Sequence, residues 1–549
     1  MPECFLLALL ADALNFRYRC LFYRKHLDTY MSKTRLVLMR RIWYKTDIHE
    51  KERGSDMQDD VIAAVATPPG RGGVSIVRVS GVGAIEKAGK VFRSASGSPL
   101  TEAKSFTAHF GHVMSADEKV IDECIALVMR APHTYTTEDV VELQLHGSPI
   151  AVRETLSALG LVGVRMADRG EFTKRAFLGG RIDLSEAQAV MDIVSARSTK
   201  ALGIAEGRLS GRFSDRIRAL QGEVKAVIAH LEALIDFPEE GVEDIELRDI
   251  TDGIHRAVAE TDRILASADT GRIYRDGLRT AIIGKPNVGK SSLLNYILGE
   301  ERAIVTDIPG TTRDSIEESA ELGGVPLAIA DTAGIRETGD EVERIGVERS
   351  KRAAEGAELV LALFDGSRKL DAEDDEIMRL LSGRGKGAAA LLTKSDLPQV
   401  VKETELAQRI AEVAGDVPHI ITITTKNGTV ENAPGNKSPQ MEPIDGTDDT
   451  QQSDEQSAVG MAALIDVVKE LVGERTPDDE ILRDEREAEI LRRAKGHLEA
   501  AEKTISEGLP EDFISIDMRS AWEALGEITG ETAAENIIDE IFSRFCIGK

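Results

Sequence analysis

Gly284-Lys285-Pro286-Asn287-Val288-Gly289-Lys290-Ser291 stands between an apolar run, Thr280-Ala281-Ile282-Ile283, and a segment in which Leu293, Leu294, Ile297 and Leu298 recur at helical spacing. The run reads as a buried strand and the segment as a helix, so the order is strand, loop, helix. That context turns a glycine-rich octapeptide into a phosphate loop. Two glycines let the backbone curl around a phosphate with its N–H groups pointing inward. Lys290 then reaches the β- and γ-phosphates, and Ser291 sets its hydroxyl on Mg²⁺.

Outward from the loop, apolar strands alternate with helical segments: Val325 to Ala330, Glu358 to Phe364, Ala388 to Leu392 and His419 to Ile423 are the strand candidates. This predicts a doubly wound α/β domain over residues 276–475. Asp331-Thr332-Ala333-Gly334 ends one strand, where the carboxylate can hold Mg²⁺ through water and the Gly334 N–H can sense a γ-phosphate. Thr393-Lys394-Ser395-Asp396 ends another, and Asp396 can accept from both N1–H and the 2-amino group of guanine, which adenine lacks. GTP is thereby selected over ATP. Asn usually opens that motif, so Thr393 predicts weaker affinity with the guanine preference kept. Thr424-Thr425-Lys426-Asn427-Gly428 would be the last base-contacting loop, a weak motif taken alone.

Between phosphate loop and Asp331 lie Thr306 to Ile308 and Gly310-Thr311-Thr312-Arg313-Asp314, a polar switch-like stretch whose Thr312 completes a Mg²⁺ shell. Ile335 occupies the place where many GTPases carry a water-orienting Gln, and an aliphatic side chain cannot orient water. Asp340, Glu341 and Glu343 follow closely. Their sequence is open between a carboxylate acting through water and a solvated acidic helix start.

Around this domain the composition turns helical, over 176–275 and again over 476–549, and neither half has an apolar partner of its own. The economical reading is one helical domain in two pieces with the nucleotide domain inserted, which requires the two ends of the insertion to lie close together. Within the insertion, 429–459 carries seven acidic residues against one lysine among Pro, Gly, Ser and Gln, and is expected to be disordered. Residues 57–175 read as a compact α+β domain, with short strands at Val61 to Ala66, Val74 to Val79, Glu123 to Met129 and Val140 to Leu145. Arg78 lies inside an apolar run, so it needs a fixed partner.

The first 56 residues differ from the rest, holding four of the seven tyrosines and eleven Lys or Arg against seven Asp or Glu. An over-called start, with translation beginning at Met57, is the preferred expectation; a targeting leader and a genuine extra arm are the alternatives. Any endogenous peptide from residues 1 to 50 would rule the first out.

With 68 Lys plus Arg against 95 Asp plus Glu, the formal charge is −27, so direct salt-driven binding of nucleic acid is not the default. The four cysteines, Cys4, Cys20, Cys124 and Cys546, lack the spacing of a disulfide framework or zinc site. A reducing cytoplasm fits. The longest apolar stretch, Phe5 to Leu14, is too short for a membrane span and carries Asp12.

Five further blocks stand out: Ala66-Thr67-Pro68-Pro69-Gly70-Arg71-Gly72-Gly73; Glu142-Leu143-Gln144; Arg175-Ala176-Phe177-Leu178; Glu341-Val342-Glu343-Arg344-Ile345-Gly346; and the terminal Phe545-Cys546-Ile547-Gly548-Lys549. With the nucleotide motifs, they make residues 57–549 resemble the MnmE (TrmE) family of GTPases that modify the wobble uridine of tRNA. Ribosome-assembly GTPases of the Era and Der type share the phosphate loop but lack these blocks. A GTP-switched ribosome-assembly factor acting by binding alone is therefore the rival reading.

The resemblance implies a multidomain fold: a P-loop GTPase domain inserted into a helical domain, preceded by a folate-binding α+β domain that forms a homodimer. It implies GTP contacts from Asn287, Val288, Gly289, Lys290, Ser291, Ser292, Thr306, Asp307, Ile308, Pro309, Gly310, Thr311, Thr312, Asp331, Thr332, Ala333, Gly334, Lys394 and Asp396. Mg²⁺ falls to Ser291 and Thr312, K⁺ to Asn287, Thr306, Ile308 and Thr311, and water orientation to Glu343. Tetrahydrofolate, in its 5,10-methylene or 5-formyl form, falls to Arg78, Glu142, Arg181 and Lys549. Arg181 stands where the family often has Lys, which keeps the charge and changes its geometry. The implied partner is MnmG, an FAD-containing protein that makes most of the tRNA contact, in a heterotetramer or larger complex.

Overall fold

The structure is a computed structural model describing residues 60–236, 244–300, 318–330, 351–424, 451–473, 482 and 484–549. It divides into two compact units, one running to Arg181 and taking in Phe542–Lys549, the other Ile182–Ile541.

The first unit is built on a seven-stranded sheet in the order β3-β4-β5-β6-β2-β1-β7. Its strands are β1 (Ile62–Val65), β2 (Gly72–Ser80), β3 (Phe92–Ser94), β4 (Thr107–Met114), β5 (Val120–Met129), β6 (Val140–Gly147) and β7 (Arg165–Met166). Neighbours pair antiparallel except β1 with β7. Helices α1 (Ala84–Val91) and α2 (Pro149–Leu161) cover one face, burying Val77, Val79, Ile85, Leu143, Leu145 and Leu159 in a common core. Alternation along β2 and β6 sends those side chains into the core and leaves Arg78 and Glu142 directly opposite one another on the other face.

The expected boundary at 175 falls inside α3 (Glu171–Leu178), and the unit continues to Arg181. Arg175 is the reason the helix stays with it. This buried guanidinium bonds Asp60 at 2.6 Å, Glu138 at 3.0 Å and Glu171 at 2.9 Å. The last eight residues also join this unit instead of the helical domain expected over 476–549. Phe542 and Phe545 are buried, and Arg169 and Ile547 form a β-bridge.

Among its described residues the second unit contains a helical core and two more on the faces of a sheet. One gathers α6 (Arg212–Asp236), α7 (Asp244–Leu265), α13 (Glu485–Ser506) and α14 (Glu511–Thr529) around Phe213, Leu220, Leu231, Ile254, Leu491, Leu498, Met518 and Leu525. Each of these helices presents an apolar stripe, so helices from both sides of the nucleotide domain complete a single core. α4 (Leu184–Ser195) and α5 (Thr199–Leu209) precede the four, and Arg208 of α5 is tied to Glu487 of α13 at 2.5 Å, both fully buried.

The other two flank a six-stranded sheet of order β13-β12-β11-β8-β10-β9. Its strands are β8 (Leu278–Gly284), β9 (Glu318–Leu322), β10 (Val325–Ile329), β11 (Leu359–Asp365), β12 (Ala388–Thr393) and β13 (His419–Thr422), parallel except β9. Near-continuous burial along β11 and β12 is what a sheet covered on both faces demands. The flanking helices are α8 (Ala268–Asp276), α9 (Lys290–Glu300), α10 (Ala372–Arg379), α11 (Glu403–Ala414) and α12 (Gln451–Val472). The inbound and outbound chains meet: Thr270 Oγ1 donates to the Val472 carbonyl at 3.3 Å and the Leu482 N–H to Ser267 Oγ at 3.0 Å.

α12 corrects one expectation, since it begins at Gln451, inside the stretch 429–459 read as disordered. Met461, Leu464, Val467, Val468 and Val472 anchor the helix in the sheet core, and a helix so anchored extends backwards at little cost per residue. Among the described residues no helix is long and apolar enough to cross a membrane.

Candidate functional site

Gly284, Asp365 and Thr393 end the parallel strands β8, β11 and β12 side by side, where the candidate nucleotide site lies. β8 delivers the chain at Gly284, whose φ of 153° suits glycine and whose Cβ, if present, would lie 2.9 Å from both the Leu363 carbonyl and Val288 Cγ1. Asn287 follows in the left-handed region at φ 59°, and Val288 is buried. The loop is therefore pinned from inside. Lys290 opens α9 and folds back across it, donating to the carbonyls of Gly284 and Lys285, each at 2.8 Å. Burial pushes its ammonium below the ordinary lysine value, so a phosphate arriving there would restore the charged form. Ser291 lies exposed in the first turn of the same helix.

Contacts that motif spacing did not indicate complete the frame. Lys285 reaches Asp371 at 2.6 Å and Glu373 at 2.9 Å. Asp371 caps α10 while the Lys285 hydrogen bond holds its carboxyl down at about 2. Lys394, at φ 59°, donates from Nζ to Asp365 Oδ2 at 2.7 Å. Burial alone would raise the Asp365 carboxyl, but hydrogen bonds from Lys394 and Ser367 carry it below the usual carboxylate range. The departure at Thr393 also acquires a structural account: the side chain is fully buried and its hydroxyl points at the Val288 carbonyl, 2.7 Å away, and the Phe364 carbonyl, 3.1 Å away. Asp396 lies exposed beyond Lys394. Thr306 to Asp314, Asp331 to Gly334, Ile335, Asp340, Glu341, Glu343 and Thr425 to Gly428 lie outside the described residues.

A second constellation lies within the first unit. Arg78 Nε donates to Glu142 Oε1 at 2.9 Å and Nη1 to the Gly548 carbonyl at 3.4 Å, so the charge inside the apolar run has a fixed partner. The Arg78 guanidinium stands 5.8 Å from the ring centre of Tyr135 and that of Arg181 5.1 Å from the same ring. Arg181 is fixed by a 2.6 Å bond to the Thr134 carbonyl, and the Tyr135 hydroxyl by Thr173 at 3.0 Å. Burial pushes the Tyr135 phenol up. Lys549 arrives from the far end of the sequence because Gly548, at φ 94°, turns against β1, where an added Cβ would fall 2.0 Å from the Val65 carbonyl.

Half-buried Lys549 has its ammonium lowered first by burial and then by Arg78. Arg78 thus pairs with Glu142 and shares the Tyr135 ring with Arg181, and the Lys549 ammonium lies near enough to Arg78 to feel its charge. Such a set suits a ligand with carboxylates, N–H donors and a flat ring, and Tyr135 is the member the sequence did not single out. Its neighbours come from residues 78, 173 and 181, so no local pattern marks it. Cys124 is buried, its thiol pushed up to about 12 by burial, which removes it as a nucleophile.

Residues 61–181 match the family model described as GTP-binding protein TrmE N-terminus, and residues 184–546 the MnmE helical domain. A tRNA modification GTPase MnmE of Heliobacterium modesticaldum is 44% identical over 90% of this chain and 100% of its own length. Its counterpart in Symbiobacterium thermophilum is 43% identical over 90% of this chain and 100% of its own. That of Thermoanaerobacter pseudethanolicus is 42% identical, with coverages of 89% and 99%.

Proposed function

The chain belongs to the MnmE family of tRNA modification GTPases, and from that premise we propose a homodimeric, K⁺-stimulated, cytoplasmic enzyme. With FAD-containing MnmG, in a heterotetramer or larger complex, it installs an aminomethyl or carboxymethylaminomethyl group at C5 of the wobble uridine of tRNA. The chain is a GTP hydrolase. Ser291 and Thr312 would hold Mg²⁺, and Asn287, Thr306, Ile308 and Thr311 would hold K⁺, which offsets charge developing between the β- and γ-phosphates. Lys290 binds the phosphates, Asp396 the guanine edge, and Glu343 orients water. The net charge of −27 agrees with MnmG making most of the tRNA contact.

Tetrahydrofolate, in its 5,10-methylene or 5-formyl form, supplies the one-carbon unit when bound. Arg78, Arg181 and Lys549 would draw its carboxylates, Glu142 would accept from ring N–H groups, and Tyr135 would offer an aromatic face. The observation that supports this part is that Arg78 pairs with Glu142, shares the Tyr135 ring with Arg181 and bonds the Gly548 carbonyl beside Lys549. Calorimetric titration with 5-formyltetrahydrofolate tests it. Arg78→Ala should weaken binding at least about tenfold, the scale of one lost charge-assisted bond, and abolish tRNA modification while GTP turnover persists. A variant that binds folate and supports modification as the wild type does would remove Arg78 from the folate site and leave the ribosome-assembly alternative standing.

A further inference from the structure

Taking Lys394-Ser395-Asp396 as the base loop, on which this step rests, we infer that Gln399 is a positioning residue for guanine selection. Its side-chain amide fastens both ends of the turn that carries Asp396, and position 366 is glycine to leave that amide room.

The chain leaves β12 at Thr393 and turns at once, the Leu397 N–H donating to the Lys394 carbonyl at 3.0 Å. Asp396 therefore takes the third place of a four-residue turn. Asp396 and Leu397 are exposed, and a turn closed by one hydrogen bond in contact with water opens readily. Gln399 adds two more bonds. Its Nε2 donates to the Lys394 carbonyl at 2.7 Å and to the Leu397 carbonyl at 2.9 Å. A primary amide has two N–H donors, so both are used on the two ends of the same turn.

Because both of those neighbours are acceptors, the amide faces them with its nitrogen and turns its oxygen toward the end of β11. There a Cβ on residue 366 would lie 2.1 Å from Gln399 Oε1 and 3.1 Å from Gln399 Cδ. Gly366 is not in the left-handed region, so the backbone does not require glycine; the space does. The Gly366 carbonyl accepts from the N–H of Val400 at 2.7 Å and of Val401 at 3.1 Å, and Val401 is buried. The backbone beyond Gln399 is thus held to β11 while its side chain holds the turn.

Two-point recognition makes this placement matter. A carboxylate that accepts from both N1–H and the 2-amino group of guanine must keep both oxygens along the base edge. When the turn swings, one of the two contacts is lost first, and the nucleotide must order the turn on binding. Gln399 sets the turn before the base arrives, so it acts on selection through Asp396.

The experiment measures dissociation constants of GDP and of inosine diphosphate, which lacks the 2-amino group, on the full chain with Mg²⁺ by competition with a fluorescent GDP analogue. Melting of the nucleotide-free protein checks folding. Gln399→Ala should raise the GDP constant about fivefold, the scale of two exposed hydrogen bonds, and the inosine diphosphate constant by less than about twofold. The preference for guanine then falls at least about twofold. Gly366→Ala should reproduce that fall by displacing the amide. The double variant should be no worse than either single one, since Leu392 Cγ, 3.2 Å from the added methyl, needs only a small shift. A guanine preference unchanged in Gln399→Ala overturns the inference, whatever happens to melting, and so do losses that add in the double variant. Asp396→Ala separates the two layers: it should abolish the preference, and a preference that survives it removes the base-loop reading together with the role of Gln399.

Discussion

Lys549 shows what a single residue contributes here by being placed unfavourably. Its ammonium is drawn below the ordinary lysine value of 10.5, chiefly by burial and next by Arg78. An anion beside it favours the charged form, so binding raises the pKa again and takes up a proton wherever the free amine is partly neutral. Affinity for 5-formyltetrahydrofolate should therefore fall as pH rises from the lowered value toward 10.5, and Lys549→Met should bind more weakly with that slope removed. Titrations at a series of pH values check it; a slope that survives in the variant belongs to another group. Glu343→Ala should keep GTP affinity and lose at least about 100-fold in turnover, the size of a lost general-base contribution, by single-turnover assay. Arg78 was legible in sequence because a charge in an apolar run needs a partner, and Glu142 is that partner. Tyr135 was not, because cation–aromatic contacts leave no periodic trace.

At the scale of elements, the helices on either side of the nucleotide domain were legible as halves of one domain because each carried an apolar stripe without a mate. What sequence did not show is how the halves are keyed. Arg208 of α5 and Glu487 of α13 form an ion pair with the side chains 1% and 0% exposed, beside Ser185 and the ring of Phe213. Neutralising one partner leaves the other charge buried without its counterion. Glu487→Gln should thus destabilise the chain by about 3–5 kcal/mol in urea unfolding, whereas surface pairs contribute a few tenths to about 1 kcal/mol. A loss of under about 1 kcal/mol would mean the site relaxes or admits water. Strands with continuous apolar runs, such as β11 and β12, were readable, while β4 and β9 were not. β4 alternates Thr, His and Phe with small residues and stays half-exposed along its first half, and β9 is a short edge strand with Glu318 and Glu321. Pairing with β5 and β10 makes them strands, and pairing is not a local property.

At the scale of the whole chain the connectivity is nested. The nucleotide sheet is inserted into the helical core, and the second unit is itself inserted between Arg181 and Phe542 of the first. Both covalent links out of the second unit end in segments that carry folate-site candidates, Arg181 at one and Lys549, seven residues past Phe542, at the other. If Asn287, Thr306, Ile308 and Thr311 hold a monovalent cation of K⁺ size, GTP turnover by residues 57–549 should be at least about tenfold faster in K⁺ than in Na⁺ at equal ionic strength, because the smaller ion fits the same oxygen cage poorly and leaves transition-state charge less compensated. MnmG added to both should change the rates without erasing the ratio. Equal turnover in the two salts would leave the GTPase intact and remove the cation from its mechanism, and an Asn287→Ala variant that keeps the K⁺ preference would move the ion to other ligands.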